Sequence, residues 1–163
     1  MRIWKLTLLG ALLSLSINTA NALASNIINF DQLVKAVERG DDVKAIIHFD
    51  NCQITDKALQ EQLMRNLEGA TTRFNFTRFL HAKVRVNNQL TDTVTTSMES
   101  QIMLDSGVIW TVFGRLNVYE DDTAILHVDF YDPITHKNQL DVDWECDISN
   151  GRDNKGLILL DYP

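Results

Sequence analysis

The sequence predicts an α+β domain: N-terminal helices packed on an antiparallel β-meander that is able to curl into a partial barrel. Three observations predict it. Apolar residues recur at helical spacing only near the start of the chain. From Thr71 onward they alternate with polar residues at a period of two. The separators between the alternating runs are short, which favours antiparallel neighbours.

The first element is an address. Residues 1–24 read as a cleaved signal peptide: Arg2 and Lys5, an apolar run from Leu6 to Leu15, then Ala22-Leu23-Ala24 before Ser25. The run is shorter than the ~20 residues of a membrane span. Cleavage would leave 139 of 163 residues. It would remove two positive charges and no acid, moving the net charge from −7 to −9. That acid excess speaks against nucleic acid as a partner, because phosphate contacts need surplus Lys and Arg. No second apolar run is long enough to span a bilayer, and residues 25–163 read as one domain.

Next comes a helix. Asn29 can cap it, Gln32 stands where a capping box wants it, and Phe30, Leu33, Val34 and Val37 form one stripe. Gly40 ends it. Val43, Ala45, Ile47 and Phe49 then alternate with polar residues as a strand that leads to Cys52. A second helix is expected over 56–68, capped by Thr55 or Asp56, with Leu59, Leu63 and Leu67 in line and Gly69 at its end.

The strands expected after it are 73–86, 91–98, 108–119, 123–131, 140–147 and 157–162. Asn87-Asn88, Ser106-Gly107, Glu120-Asp121-Asp122, Asp132-Pro133 and Asn150-Gly151 separate them.

Cys52 and Cys146 are the two cysteines of an exported chain, and such a pair is expected to form one disulfide. They lack the Cys-x-x-Cys spacing of a redox site and the clustered partners of a metal site.

Chemistry-bearing residues fall into three groups. On the last acidic strand, Asp141, Asp143, Glu145 and Asp147 share one face and Val142, Trp144 and Cys146 the other. The carboxylates lie about 6.6–7 Å apart along the strand, a spacing that suits paired acid/base groups and equally a wetted sheet face. His127, Asp129 and Tyr131 also share a face and suit either a general base with its orienting carboxylate or plain solvation. Between Glu68 and Asp92 there is no acid, and Arg73, Arg78, Lys83 and Arg85 interleave with Phe74, Phe76 and Phe79. This is the candidate binding patch, for a protein, glycan or lipid partner outside the cytoplasm. Its plain reading is an outer face paired with carboxylates of neighbouring strands. No nucleophile elbow, phosphate loop, dinucleotide fingerprint or zinc motif occurs, so no catalytic residue, metal or cofactor is assigned.

The run Asn29-Phe30-Asp31-Gln32-Leu33 through Ala36 and Gly40, then Val43-Lys44-Ala45 and Cys52, resembles the start of the VirK family. The resemblance implies a small exported bacterial protein associated with virulence, periplasmic or secreted, from a Gram-negative source. It carries across no catalytic residues. Together with the signal peptide, the paired cysteines and the missing motifs, it points to a protein that acts by binding a partner. Two alternatives stand beside it: a small-molecule or lipid carrier whose curled sheet encloses an apolar pocket, and a carboxylate-dependent hydrolase using Asp141 and Asp143 or His127 and Asp129.

The processed protein is expected to begin at Ser25 and to carry two hydrogens fewer than the reduced chain. Intact mass spectrometry of material from periplasm and medium checks both; a mass including residues 1–24 would refute the cleavage.

Overall fold

The computed structural model describes residues 23–56, 58–60 and 67–162. The expected signal peptide lies outside them apart from its last two residues. So does most of the expected second helix: residues 58–60 are helical and Asp56 caps them, its carboxylate accepting the Ala58 N–H at 2.8 Å, while 57 and 61–66 lie outside the described residues.

The chain opens with β1 (Ser25–Ile27) and α1 (Phe30–Arg39). Asn29 caps α1 by accepting the Gln32 N–H at 2.9 Å. The Gln32 side chain reaches back to the N–H of Ile28, one residue before the cap. Gly40 ends the helix at φ 86°, and its N–H meets the carbonyls of Ala36 and Val37; that left-handed backbone is what glycine allows. Phe30, Leu33, Ala36 and Val37 bury the predicted stripe. The helix start is also tied to a distant turn, because Asp122 accepts the Phe30 N–H at 2.7 Å.

Then follow β2 (Asp42–His48), a 3-10 turn (Phe49–Asn51), β3 (Gln53–Ile54), β4 (Thr71–Asn75), β5 (Leu80–Val86), β6 (Gln89–Met103), β7 (Ile109–Tyr119), β8 (Thr123–Asp132), β9 (Lys137–Asp147) and β10 (Leu157–Tyr162). They form a four-stranded sheet, β1-β10-β2-β4, and a six-stranded sheet, β3-β9-β8-β7-β6-β5. Asn87 and Asn88 both hold positive φ, the conformation of a tight hairpin turn between β5 and β6.

This corrects the expected fold class. The meander exists, since β5 to β9 each pair antiparallel with the next. Its covering layer, however, is a second sheet with α1 beside it, not a layer of helices. The fold is mainly β. It is not a partial barrel either, because both sheets are open, with β3 and β5 as the edges of the larger one. The error lies in residues 73–86, read as one strand although the alternation lapses at Thr77-Arg78 and Phe79-Leu80, where the chain breaks at 76–79. There the chain crosses from one sheet to the other, so β4 joins β2 and β5 joins β6. The buried Thr96 hydroxyl lies 2.9 Å from the carbonyl oxygens of both Asn75 and Arg78 and satisfies this corner.

The core lies between the sheets. Val43, Ala45, Ile47, Leu157 and Leu159 of the smaller sheet and Val94, Leu116, Val118, Ala124 and Leu126 of the larger are fully buried. Truncating any of the larger ones to alanine costs about 2–5 kcal/mol.

Cys52 and Cys146 are bonded, S–S 2.06 Å, with Cα atoms 4.6 Å apart. The bond continues the β3–β9 pairing by one position, since Gln53 stands opposite Glu145, and so ties the turn that leaves β2 to the edge of the larger sheet. Gly156 packs against it: a Cβ there would come within 2.3 Å of Cys52 Sγ and 2.9 Å of the Asn51 carbonyl. A side chain at that position cannot be fitted without moving backbone.

Reduction is expected to lower the melting temperature by on the order of 10 °C, since a crosslink of this span is worth about 4–5 kcal/mol in chain entropy. Thermal denaturation followed by circular dichroism, with and without reductant, measures it. Identical melts would mean the bond adds no stability.

Candidate functional site

Strand length sets up the first site. β6 and β7 run for 15 and 11 residues, whereas β4, across the core, has five. The larger sheet therefore outruns the smaller, and burial of its inner face falls off along each strand. On β7, Val118 and Leu116 are buried and Val112 and Trp110 half-buried. On β8, Ala124 and Leu126 are buried and Val128 and Phe130 half-buried. On β9 the same change falls between Val142 and Leu140.

At that transition the sheets enclose a cavity of about 280 Å³. Phe49, Leu67, Thr72 and Phe74 line it from one side. Met98, Val112, Gly114, Leu126, Val128, Phe130, Leu140 and Trp144 line it from the meander. Thr72 supplies the one hydroxyl, and no charged side chain is among these residues. Gly114 is needed where it stands, because a Cβ there would meet the Phe74 ring at 2.8 Å. The deep wall is Trp144, 3% exposed, its ring edge-on to Phe49 at 5.0 Å between centroids. Its indole N–H is buried and has no acceptor among the described residues. Met103, Ile109 and Ile134 are exposed on and beside the turns that follow β6 and β8; Met103 and Ile109, opposite each other, stand on the outer face of the meander.

The sequence pattern places Trp144 on a core face but does not reveal this cavity. The one signal for it is a glycine in mid-strand, Gly114, flanked by alternating residues.

A second site lies on the opposite, outer face of the meander. The β8–β9 register sets His127 opposite Asp143 and Asp129 opposite Asp141. His127 Nδ1 lies 2.7 Å from Asp143 Oδ1 and Nε2 lies 2.9 Å from Asp129 Oδ2; Asp141 is 3.7 Å away. The residues proposed for acid/base chemistry are thus brought together, Tyr131 excepted. A register shift between Phe130 and Tyr131 intervenes, and the Tyr131 hydroxyl pairs with His136 Nδ1 at 2.9 Å. Partial burial pulls the His127 pKa down, but its hydrogen bonds to Asp143 and Asp129 and their charges outweigh this and hold it above the ordinary 6.5. A ring with both nitrogens donating to carboxylates has no lone pair free for general-base work. Ligand atoms of His127, Asp129 and Asp141 lie within 4.8 Å of one another, a spacing a cation could use; an imidazolium satisfies the same carboxylates without one.

The four cations of the candidate patch are not on one surface. Arg73 is on the face of β4 opposite the buried Phe74. Arg78 stands at the corner, beside a shallow depression with Glu99, Phe113, Arg115 and Asp129. Lys83 and Arg85 share the face of edge strand β5 that holds His81, which bonds to Glu38 of α1. β5 and β9 are four strands apart in the sheet, so the carboxylates of β9 are not their neighbours. Among the described residues none of the four makes a salt bridge.

His127→Gln tests the outer cluster. A folded-state pKa raised above 6.5 contributes stability fully present below 6.5 and lost as pH rises through the raised value. The variant is expected to lose about 1 kcal/mol near pH 5 and much less near pH 9, by urea denaturation. An equal loss at both would remove the charge from the account.

No curated protein matches the chain. A solved structure that does is the crystal structure of lpg1832, a VirK family protein from Legionella pneumophila. It superposes with a TM-score of 0.60 at 12% identity, over 82% of this chain and 97% of that one, a likeness of fold. A family model described as VirK protein matches residues 26–136, and the chain belongs to the VirK family.

Proposed function

We propose that this VirK-family protein works outside the cytoplasm by binding, and that what it binds is a small apolar molecule held between its two sheets. The observation that carries the reading is the cavity, about 280 Å³ and lined by apolar side chains from both sheets. Its size is near the lower end of the about 300–1,000 Å³ of small-molecule pockets. The bonded cysteines are compatible with work in an oxidising compartment. Among the described residues no helix is long and apolar enough to cross a membrane. Virulence association enters through the family alone.

The neutral fluorophore phenylnaphthylamine tests the cavity. Its emission is expected to rise on titration into the wild-type protein, and Val128→Phe, which puts a phenyl ring into the cavity, is expected to weaken binding by about tenfold or more. No enhancement with wild type, or equal binding by the variant, would sink the reading.

A further inference from the structure

Among the described residues the edge strands of the two sheets are β1, β3, β4 and β5, with three, two, five and seven residues. An edge strand presents unpaired N–H and C=O groups, and proteins guard such edges by keeping them short, bulging them or placing proline there. β5 has none of these guards. It is the longest of the four, it contains no proline, and its register with β6 runs without a shift from Leu80 opposite Thr95 to Val86 opposite Gln89. What it carries instead is charge on one face. Lys83 and Arg85 are both exposed there, and neither makes a salt bridge among the described residues. Asp92, opposite Lys83, is bonded to His81 at 3.0 Å, and Arg85 donates to the Asn88 carbonyl at 3.1 Å. The other face is apolar: Leu80 is 61% exposed, and Ala82, Val84 and Val86 are half-buried.

Charge guards an edge selectively. A second copy of this chain, pairing β5 antiparallel to β5 about a two-fold axis, would set Lys83 and Arg85 against the cations of its partner, which is destabilising. A strand with carboxylates on that side meets the opposite sign. The cations are also a local exception: the chain carries a net charge of −7, yet no acid lies between Glu68 and Asp92. We infer that β5 is a docking edge for an extended acidic segment of another protein, which adds to the larger sheet as its next strand. Main-chain hydrogen bonds along β5 hold the segment, and side chains of alternating kind select it. Its carboxylates face Lys83 and Arg85, and apolar residues between them cover Leu80 and Val84. None of these residues lines the cavity, so the inference is independent of the carrier reading.

The probe is a fluorescein-labelled peptide of alternating glutamate and valine, matched in length to β5, titrated with the full protein and read by anisotropy. Binding is expected in dilute buffer and is expected to weaken with added salt. The double variant Lys83→Glu/Arg85→Glu is expected to bind the glutamate peptide about tenfold or more weakly, and to take up the lysine–valine counterpart that the wild type rejects. Gain of that second peptide shows that the variant is folded. Methylating one alternate set of the glutamate peptide's backbone nitrogens is expected to abolish binding and methylating the other set to leave it, because only one set faces β5. Binding that survives both methylations would overturn strand addition. Equal binding of both peptides by the wild type, or of the glutamate peptide by both proteins, would overturn the charge selection, and no binding at all would overturn the inference outright. A wild-type dimer in sedimentation that the double variant abolishes would assign the edge to a second copy instead.

Discussion

The turn that carries the chain from β2 into the larger sheet is tied covalently to β9, and much of the molecule is arranged around that joint. The Cys52–Cys146 bond clamps the chain just before β3 against β9, with Gly156 filling the space beside it that a larger residue could not enter. Near this clamp the inner faces are shut: Cys146, Trp144, Ala124, Leu126, Val118 and Leu116 are all buried. A sheet sandwich held so firmly at one end closes fully only if its sheets match in length. Here they do not. β6 and β7 extend well past the short β4, and the apolar residues on their inner face then have no partner sheet to bury them. The cavity is the space left where the shorter sheet stops.

The same geometry explains why the meander tolerates Gly114 in mid-strand, a residue that weakens strands through lost packing and added freedom. Phe74 comes from the opposite sheet to within contact of it. The ring replaces the missing side chain and, with Met98, forms part of the cavity wall. Strand weakness at Gly114 and cavity shape are one feature.

What was legible in the sequence is what depends on local periodicity. The α1 stripe, its Asn29 and Gly40 ends, the alternation of β2 and most strands of the meander all follow from spacing within a few residues. The oxidised pairing followed from cysteine count and the expected export. What could not be read depends on distant pairing. β1 and β3, three and two residues long, are too short to alternate. The 73–86 run loses its period at the break, with two polar residues, Thr77 and Arg78, followed by two apolar ones, Phe79 and Leu80; that lapse marks an interruption but does not say that the halves belong to different sheets. β10 pairs with β1 and β2 from the far end of the chain, and it was this long-range closure that replaced the expected helical layer. His127 and Asp129 could be placed on one face from their spacing. That Asp143 stands opposite His127 required the β8–β9 register.

The inner and outer faces of the meander are not independent, because a strand with period two must put something outward for every residue it puts inward. β8 and β9 supply Leu126, Val128, Phe130, Leu140 and Trp144 to the cavity. Their outward positions carry Asp129, Asp141, Asp143 and Glu145, with Asp129 directly opposite Asp141. Like charges in opposed positions push neighbouring strands apart. His127 relieves this by reaching Asp129 and Asp143 through its two nitrogens and standing 3.7 Å from Asp141, while Asn138 donates a further bond to Asp129 at 3.2 Å. The hydrogen bonds to Asp143 and Asp129 and their charges hold the His127 pKa up against partial burial. The two strands that wall the cavity are held together on their outer side by a proton as well as by their ladder. This assigns His127 a part in the architecture: it lets an acidic outer face coexist with an inner face shaped for an apolar guest.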